Sequence, residues 1–138
     1  MKIALVAPSP VPYKVGGAER LWLGHVESLT ADGHDGEMVK LPSPERNAEE
    51  IIASYRAFST LDVSHFDRVI TSKYPGWMVR HPRHVVYIMH TLRGLYDTYH
   101  YAGLPTTVDR DRLLPASRDL AVALDGPPER SRVADVLD

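Results

Sequence analysis

The sequence predicts an α/β fold, with a mostly parallel sheet flanked by helices. Three observations lead there. Short apolar runs rich in β-branched residues alternate with segments of helical periodicity, which is the order of successive βαβ units. The first run, Lys2-Ile-Ala-Leu-Val-Ala7, is apolar without alternation and suits a strand buried on both faces. A loop bearing Gly16 and Gly17 then joins it to a helix, and crossovers between such strands are right-handed.

Each element follows in order. Pro8, Pro10 and Pro12 end regular pairing after the first strand, and Val15-Gly-Gly-Ala-Glu-Arg20 leads into the first helix. Ala18, Leu21, Trp22, His25, Val26 and Leu29 recur at helical spacing and form one stripe. Gly33 is placed to close that helix in a left-handed cap. A second strand is expected over residues 37–41, closed by Pro42 and Pro44. Ser43 or Pro44 should open the next helix. Its buried face is expected to be Ala48, Ile51, Ile52, Tyr55, Phe58 and Ser59, with Glu49 and Glu50 favourable at its start.

Residues 61–66 fit either a helix end or a connector. Asp67-Arg-Val-Ile-Thr71 is a third strand, and its loop contains Tyr74-Pro-Gly-Trp77, where turn residues accompany aromatics expected to be exposed. His84-Val-Val-Tyr-Ile-Met89 is a fourth strand with His90 at its carboxyl end. Residues 91–101 should form a helix with Leu92, Leu95, Tyr96 and Tyr99 on one side. After Leu104-Pro105 the character changes to mixed charge at residues 109–112, a short helical stretch at 118–124, and a Pro127-Pro128 break. The expected organisation is a Rossmann-like domain over 1–104 and an incomplete or loosely packed tail over 105–138.

Composition narrows the function classes. A chain of 138 residues with 43% hydrophobic and 25% charged residues is that of an ordinary globular protein. A net charge of −2 and no long Lys/Arg block argue against nucleic acid as a partner. The absence of cysteine excludes disulfides, thiolate catalysis and zinc–thiolate sites. The N-terminal apolar run is too short for a signal-peptide core, and no run approaches the roughly 20 residues of a spanning helix. A cytoplasmic location is the expectation.

Two positions stand out as candidate site residues. Gly16 and Gly17 open the first helix, where glycines let a backbone approach a diphosphate or sugar and the helix dipole favours an anion. They serve equally well as a simple turn from strand to helix. Neither the dinucleotide spacing G-x-G-x-x-G nor the P-loop spacing is present. His90 ends a parallel strand at the edge where ligands bind, and there could hydrogen-bond a sugar hydroxyl or relay a proton. The alternative is a histidine that caps the next segment. His81 and His84 are interrupted by Pro82 and have no third ligand nearby, so no metal site is expected. His25 is expected to be a partly buried packing residue, and Glu19 to complement the helix dipole.

Taken together, these stretches resemble the N-terminal domain of a family 4 glycosyltransferase with the two-domain GT-B fold. The residues that carry the resemblance are Lys2-Ile-Ala-Leu-Val-Ala-Pro8, Gly16-Gly-Ala-Glu-Arg20, Leu29-Thr-Ala-Asp-Gly-His34, Asp67-Arg-Val-Ile-Thr71 and Val85-Val-Tyr-Ile-Met-His-Thr91. It implies transfer of a sugar, with retention, from a nucleotide diphosphate sugar as co-substrate to a glycan or lipid acceptor, with no further cofactor. Gly16 and Gly17 would be the loop glycines near the donor diphosphate, and His90 the catalytic residue orienting the transferring sugar. Tyr74, Thr91 and Tyr96 would lie on the acceptor side. The resemblance stops before the donor-binding domain with its paired glutamates, so the chain is expected to be inactive alone. It would need a separate C-terminal half, with at most peripheral contact at the inner face of a membrane. A non-catalytic Rossmann-like binding or regulatory module is the alternative.

Overall fold

A computed structural model describes residues 1–10, 14–90, 99–103, 105, 107, 109–113, 115, 118 and 122, with the main chain alone for His90 and Ala102. The chain divides into two compact units, Met1–Thr91 and Leu92–Asp138.

The first unit is a four-stranded parallel sheet flanked by two helices, as expected. Its elements are β1 (Lys2–Ser9), α1 (Gly17–Ala31), β2 (Asp35–Pro42), α2 (Ala48–Ser59), β3 (Arg68–Lys73) and β4 (His84–His90), with a 3-10 turn over Gly76–Met78. The strand order is β2-β1-β3-β4. Parallel pairing runs from Lys2↔Asp35 to Ser9↔Pro42, from Ile3↔Arg68 to Val6↔Thr71, and from Val69↔His84 to Thr71↔Val86. An irregularity then brings Lys73 opposite His90.

β1 is central, and its residues Ile3 to Ala7 are almost wholly inaccessible to solvent. Successive side chains point to opposite faces. Leu5 and Ala7 therefore pack with Trp22 beneath α1, while Ala4 and Val6 join Phe58, Val63, Phe66, Val69 and Val79 beneath α2. The two helices lie on opposite faces because the crossover from β1 to β2 runs one way and that from β2 to β3 runs the other.

α1 ends as expected, with Gly33 at φ +80°, where a side chain would be strained. Its stripe needs one correction. Trp22 is buried and Ala18, His25, Val26 and Leu29 are half-buried, but Leu21 is exposed. α2 begins later than Ser43 or Pro44. The strand continues through Pro42, the Ser43 N–H donates to the Ser9 carbonyl, and Asn47 caps the helix by accepting from Glu50 N–H at 2.9 Å. This rotates the buried face to Ile51, Ser54, Tyr55 and Phe58, leaving Ala48 and Ile52 exposed. Residues 61–66 are a connector that buries Val63 and Phe66.

In the second unit, 3-10 turns span Tyr99–Ala102 and Arg110–Arg112. Tyr99 Oη donates to the Pro105 carbonyl at 2.8 Å, and Asp109 accepts from Asp111 N–H at 3.1 Å. The helices expected over 91–101 and 118–124 fall mostly outside the described residues. Among the described residues, no helix is long and apolar enough to cross a membrane.

Candidate functional site

The sheet changes direction between β1 and β3. From β1 the chain moves outward to β2, and from β3 it moves outward the other way to β4. At such a switch point the connections above neighbouring strands diverge and leave a crevice at the carboxyl edge, where ligands of parallel sheets bind. The residues at that edge define the candidate site.

Gly16 and Gly17 lie above β1. Gly16 is the N-cap of α1 in an extended conformation, φ −112° and ψ −164°, and Gly17 is the first helical residue. Among the described residues only Gly33 and Gly103 are glycines with positive φ, so the backbone requires a glycine at neither site position. Among the described residues, a Cβ on Gly17 would meet nothing within 4 Å, and one on Gly16 would meet the end of the flexible Glu19 side chain at 3.2 Å. Both glycines precede the first N–H groups of a helix, its positive end. Part of that positive end is already satisfied, since the Glu19 carboxylate accepts from Gly16 N–H at 2.9 Å.

The next turn of the helix is tied to β3. Trp22 Nε1–H donates to Ser72 Oγ, and both residues are buried. The bond fixes the height of the glycine start above the sheet, because Trp22 lies little more than one turn beyond it. Beside Ser72, Lys73 ends β3 with a side chain only 12% exposed, its Nζ 3.5 Å from Glu45 Oε1 and 5.0 Å from the centre of the Tyr74 ring. Tyr74 Oη donates to the other Glu45 oxygen at 2.8 Å. Burial, followed by this bond to Glu45, raises the Tyr74 pKa well above the ordinary phenol value. Ser43 Oγ is buried in the adjoining crevice without a hydrogen-bond partner among the described residues.

The sequence-predicted residues sort as follows. Gly16, Gly17 and the main chain of His90 share the carboxyl edge. With β3 between β1 and β4, the two strand ends are about 10 Å apart. The His90 side chain, Thr91 and Tyr96 lie outside the described residues. Tyr74 is a correction, because it is 4% exposed rather than open to an acceptor, and its hydroxyl is engaged by Glu45. The aromatic is drawn inward because its ring covers the end of β3 and its hydroxyl finds a carboxylate.

His25 is half-buried as expected and meets Tyr87 edge-on at 5.3 Å. His81 Nε2 is 3.0 Å from the Phe66 carbonyl and His84 Nε2 is 2.8 Å from Thr71 Oγ1. Among the described residues, no group of three His, Asp or Glu side chains is placed to hold a metal ion.

Glu45, Ser72 and Lys73 were not among the expected site residues. Lys73 carried a signal that could have found it, as the one charged residue between Arg68 and Arg80, at the end of a strand. Ser72 and Glu45 carried none, since their roles depend on partners 50 and 28 to 29 positions away. Comparisons with protein-family models, with curated proteins and with solved structures give no match to this chain.

Proposed function

We propose that this chain is the acceptor-side domain of a retaining family 4 glycosyltransferase of GT-B architecture. It would move a sugar from a nucleotide diphosphate sugar to a glycan or lipid acceptor, and would be inactive without a C-terminal half. The observation that carries this reading is the start of α1. Among the described residues neither backbone conformation nor a neighbouring atom requires glycine at position 17, which opens the helix that follows β1, a strand bordering the switch point between β1 and β3. There a donor diphosphate meets backbone N–H groups without a Cβ in the way. His90 shares the edge and orients the sugar, because a developing oxocarbenium and a departing diphosphate need positioning and charge stabilisation more than an attacking side chain. Thr91 and Tyr96 keep their acceptor-side roles on the resemblance alone. No cofactor or nucleic acid is part of the proposal, and membrane contact is at most peripheral, on the cytoplasmic face.

One observation favours a second reading, a non-catalytic Rossmann-like module. The Glu19 carboxylate already lies on the Gly16 N–H and so competes with a diphosphate for that end of α1. Reconstitution separates the two. The chain is combined with a C-terminal half carrying the paired glutamates and assayed for transfer from nucleotide sugars. Transfer should appear only with both halves, and His90→Ala should lower kcat on the order of 10²-fold. Gly17→Ala should leave the fold's stability unchanged within about 0.5 kcal/mol while weakening donor use. Full activity of both variants, or no transfer with any such half, would remove the catalytic reading.

A further inference from the structure

We infer that Lys73 and Glu45 together hold a pair of adjacent hydroxyls on a saccharide, which makes the acceptor a neutral glycan. The inference rests on the acceptor-side reading above and names its acceptor. Lys73 closes β3, and Glu45 lies in the connection between β2 and α2. β1 stands between those two strands, so the pair reaches across its carboxyl end. That is the edge at which ligands of parallel sheets bind.

The hydrogen-bonding capacity of the pair is not used up within the chain. An ammonium carries several N–H donors, and a charge-assisted bond from one of them to a carboxylate is about 2.7–2.9 Å long. Lys73 Nζ is 3.5 Å from Glu45 Oε1, and among the described residues it has no other acceptor. Its side chain is nevertheless only 12% exposed. A cation withdrawn this far from water is costly unless other acceptors replace the water. Glu45 Oε2 accepts from Tyr74 Oη, which leaves Oε1 with the loose contact to Lys73. The Glu45 side chain is 29% exposed. Two residues earlier, Ser43 Oγ is buried without a partner among the described residues, in a crevice that Glu45 and Tyr74 also line.

The chemistry of the pair selects the ligand. Its two charges cancel, so a phosphate approaching Nζ meets the Glu45 carboxylate at the same point and is disfavoured. An apolar group would leave both side chains unsatisfied. A hydroxyl that accepts from Nζ, beside one that donates to Oε1, satisfies both, and neighbouring hydroxyls on a sugar ring are spaced to do so. Tyr74 keeps its place in this arrangement, because its bond is to the other oxygen and orients the carboxylate.

Saturation-transfer NMR of the full chain tests the proposal without a donor or a C-terminal half. The neutral probes are the methyl glycosides of glucose, galactose, mannose and N-acetylglucosamine, with glucuronate and glucose 1-phosphate as anionic counterparts. Saturation should pass to at least one neutral glycoside and not to the anionic pair. Lys73→Met should raise the Kd about tenfold or more, the loss expected for a hydrogen bond from a charged donor. Glu45→Gln, which keeps an acceptor for Tyr74 Oη, should raise it several-fold, and decides alone if Lys73→Met does not fold. A merely structural ion pair would lower Tm in these variants with no saccharide bound by the unaltered chain. That result overturns the proposal, as does a preference for the anionic probes or binding that the folded variants retain in full. The catalytic reading is tested separately, by transfer in the reconstituted enzyme.

Discussion

Replacing Ser72 by Ala probes the bond that sets α1 on the sheet. Trp22 is 1% exposed and Ser72 0%, so the indole N–H has no access to water when its acceptor is removed. A buried donor left unpaired costs about 1–3 kcal/mol, which exceeds the net worth of an ordinary hydrogen bond. For a unit the size of Met1–Thr91 this lowers Tm by roughly 4–8 °C per kcal/mol. Trp22→Phe removes the donor instead, and adds a packing loss against Leu5 and Ala7. Once Trp22 is Phe, Ser72→Ala should cost little, because no donor remains to be stranded. The double variant should therefore be more stable than the sum of the singles by about 1–2 kcal/mol. Urea denaturation of the four proteins, compared by midpoint at constant m-value, measures the difference. Additivity within about 0.5 kcal/mol would show that the two side chains are not coupled and that α1 is seated by apolar contact alone.

Two further outcomes are expected. Because the Tyr74 pKa is raised above its ordinary 10.0, its contribution is whole below that pH and is lost as the pH rises through the higher folded value. Thermal stability should thus fall through the alkaline range, and Tyr74→Phe should flatten that fall while leaving Glu45 to Lys73 alone. Asn47→Ala removes the cap of α2 and should cost about 0.5–2 kcal/mol, whereas Ser43→Ala, which caps nothing, should cost less. Equal losses from these two, measured by chemical denaturation, would mean that Asn47 does not anchor the helix start.

Much of the architecture was legible in the sequence because it is written in local chemistry. The apolar run of β1, the helical stripe ending at Gly33, and the β-branched residues of β3 and β4 each specify an element without reference to the rest. α2 starts later than the local sequence signals, because Pro42 and Pro44 suggest a break whereas the Ser9 carbonyl across the sheet holds Ser43 in line with the strand. Tyr74 departs from its local signal for a similar reason. Its neighbours Pro75 and Gly76 signal an exposed turn, but burial was decided by Glu45, 29 positions earlier.

Residue order and period alone determined that this protein is a parallel α/β domain with glycines at the first strand-to-helix junction. Strand adjacency was left to the tertiary structure, and adjacency makes the site, since it brings Gly16, Lys73 and the end of β4 to one edge. The physical reason is range. Propensity and periodicity act within a turn or two of chain, whereas the Trp22–Ser72 bond and the Glu45 cluster arise only when distant segments share one sheet.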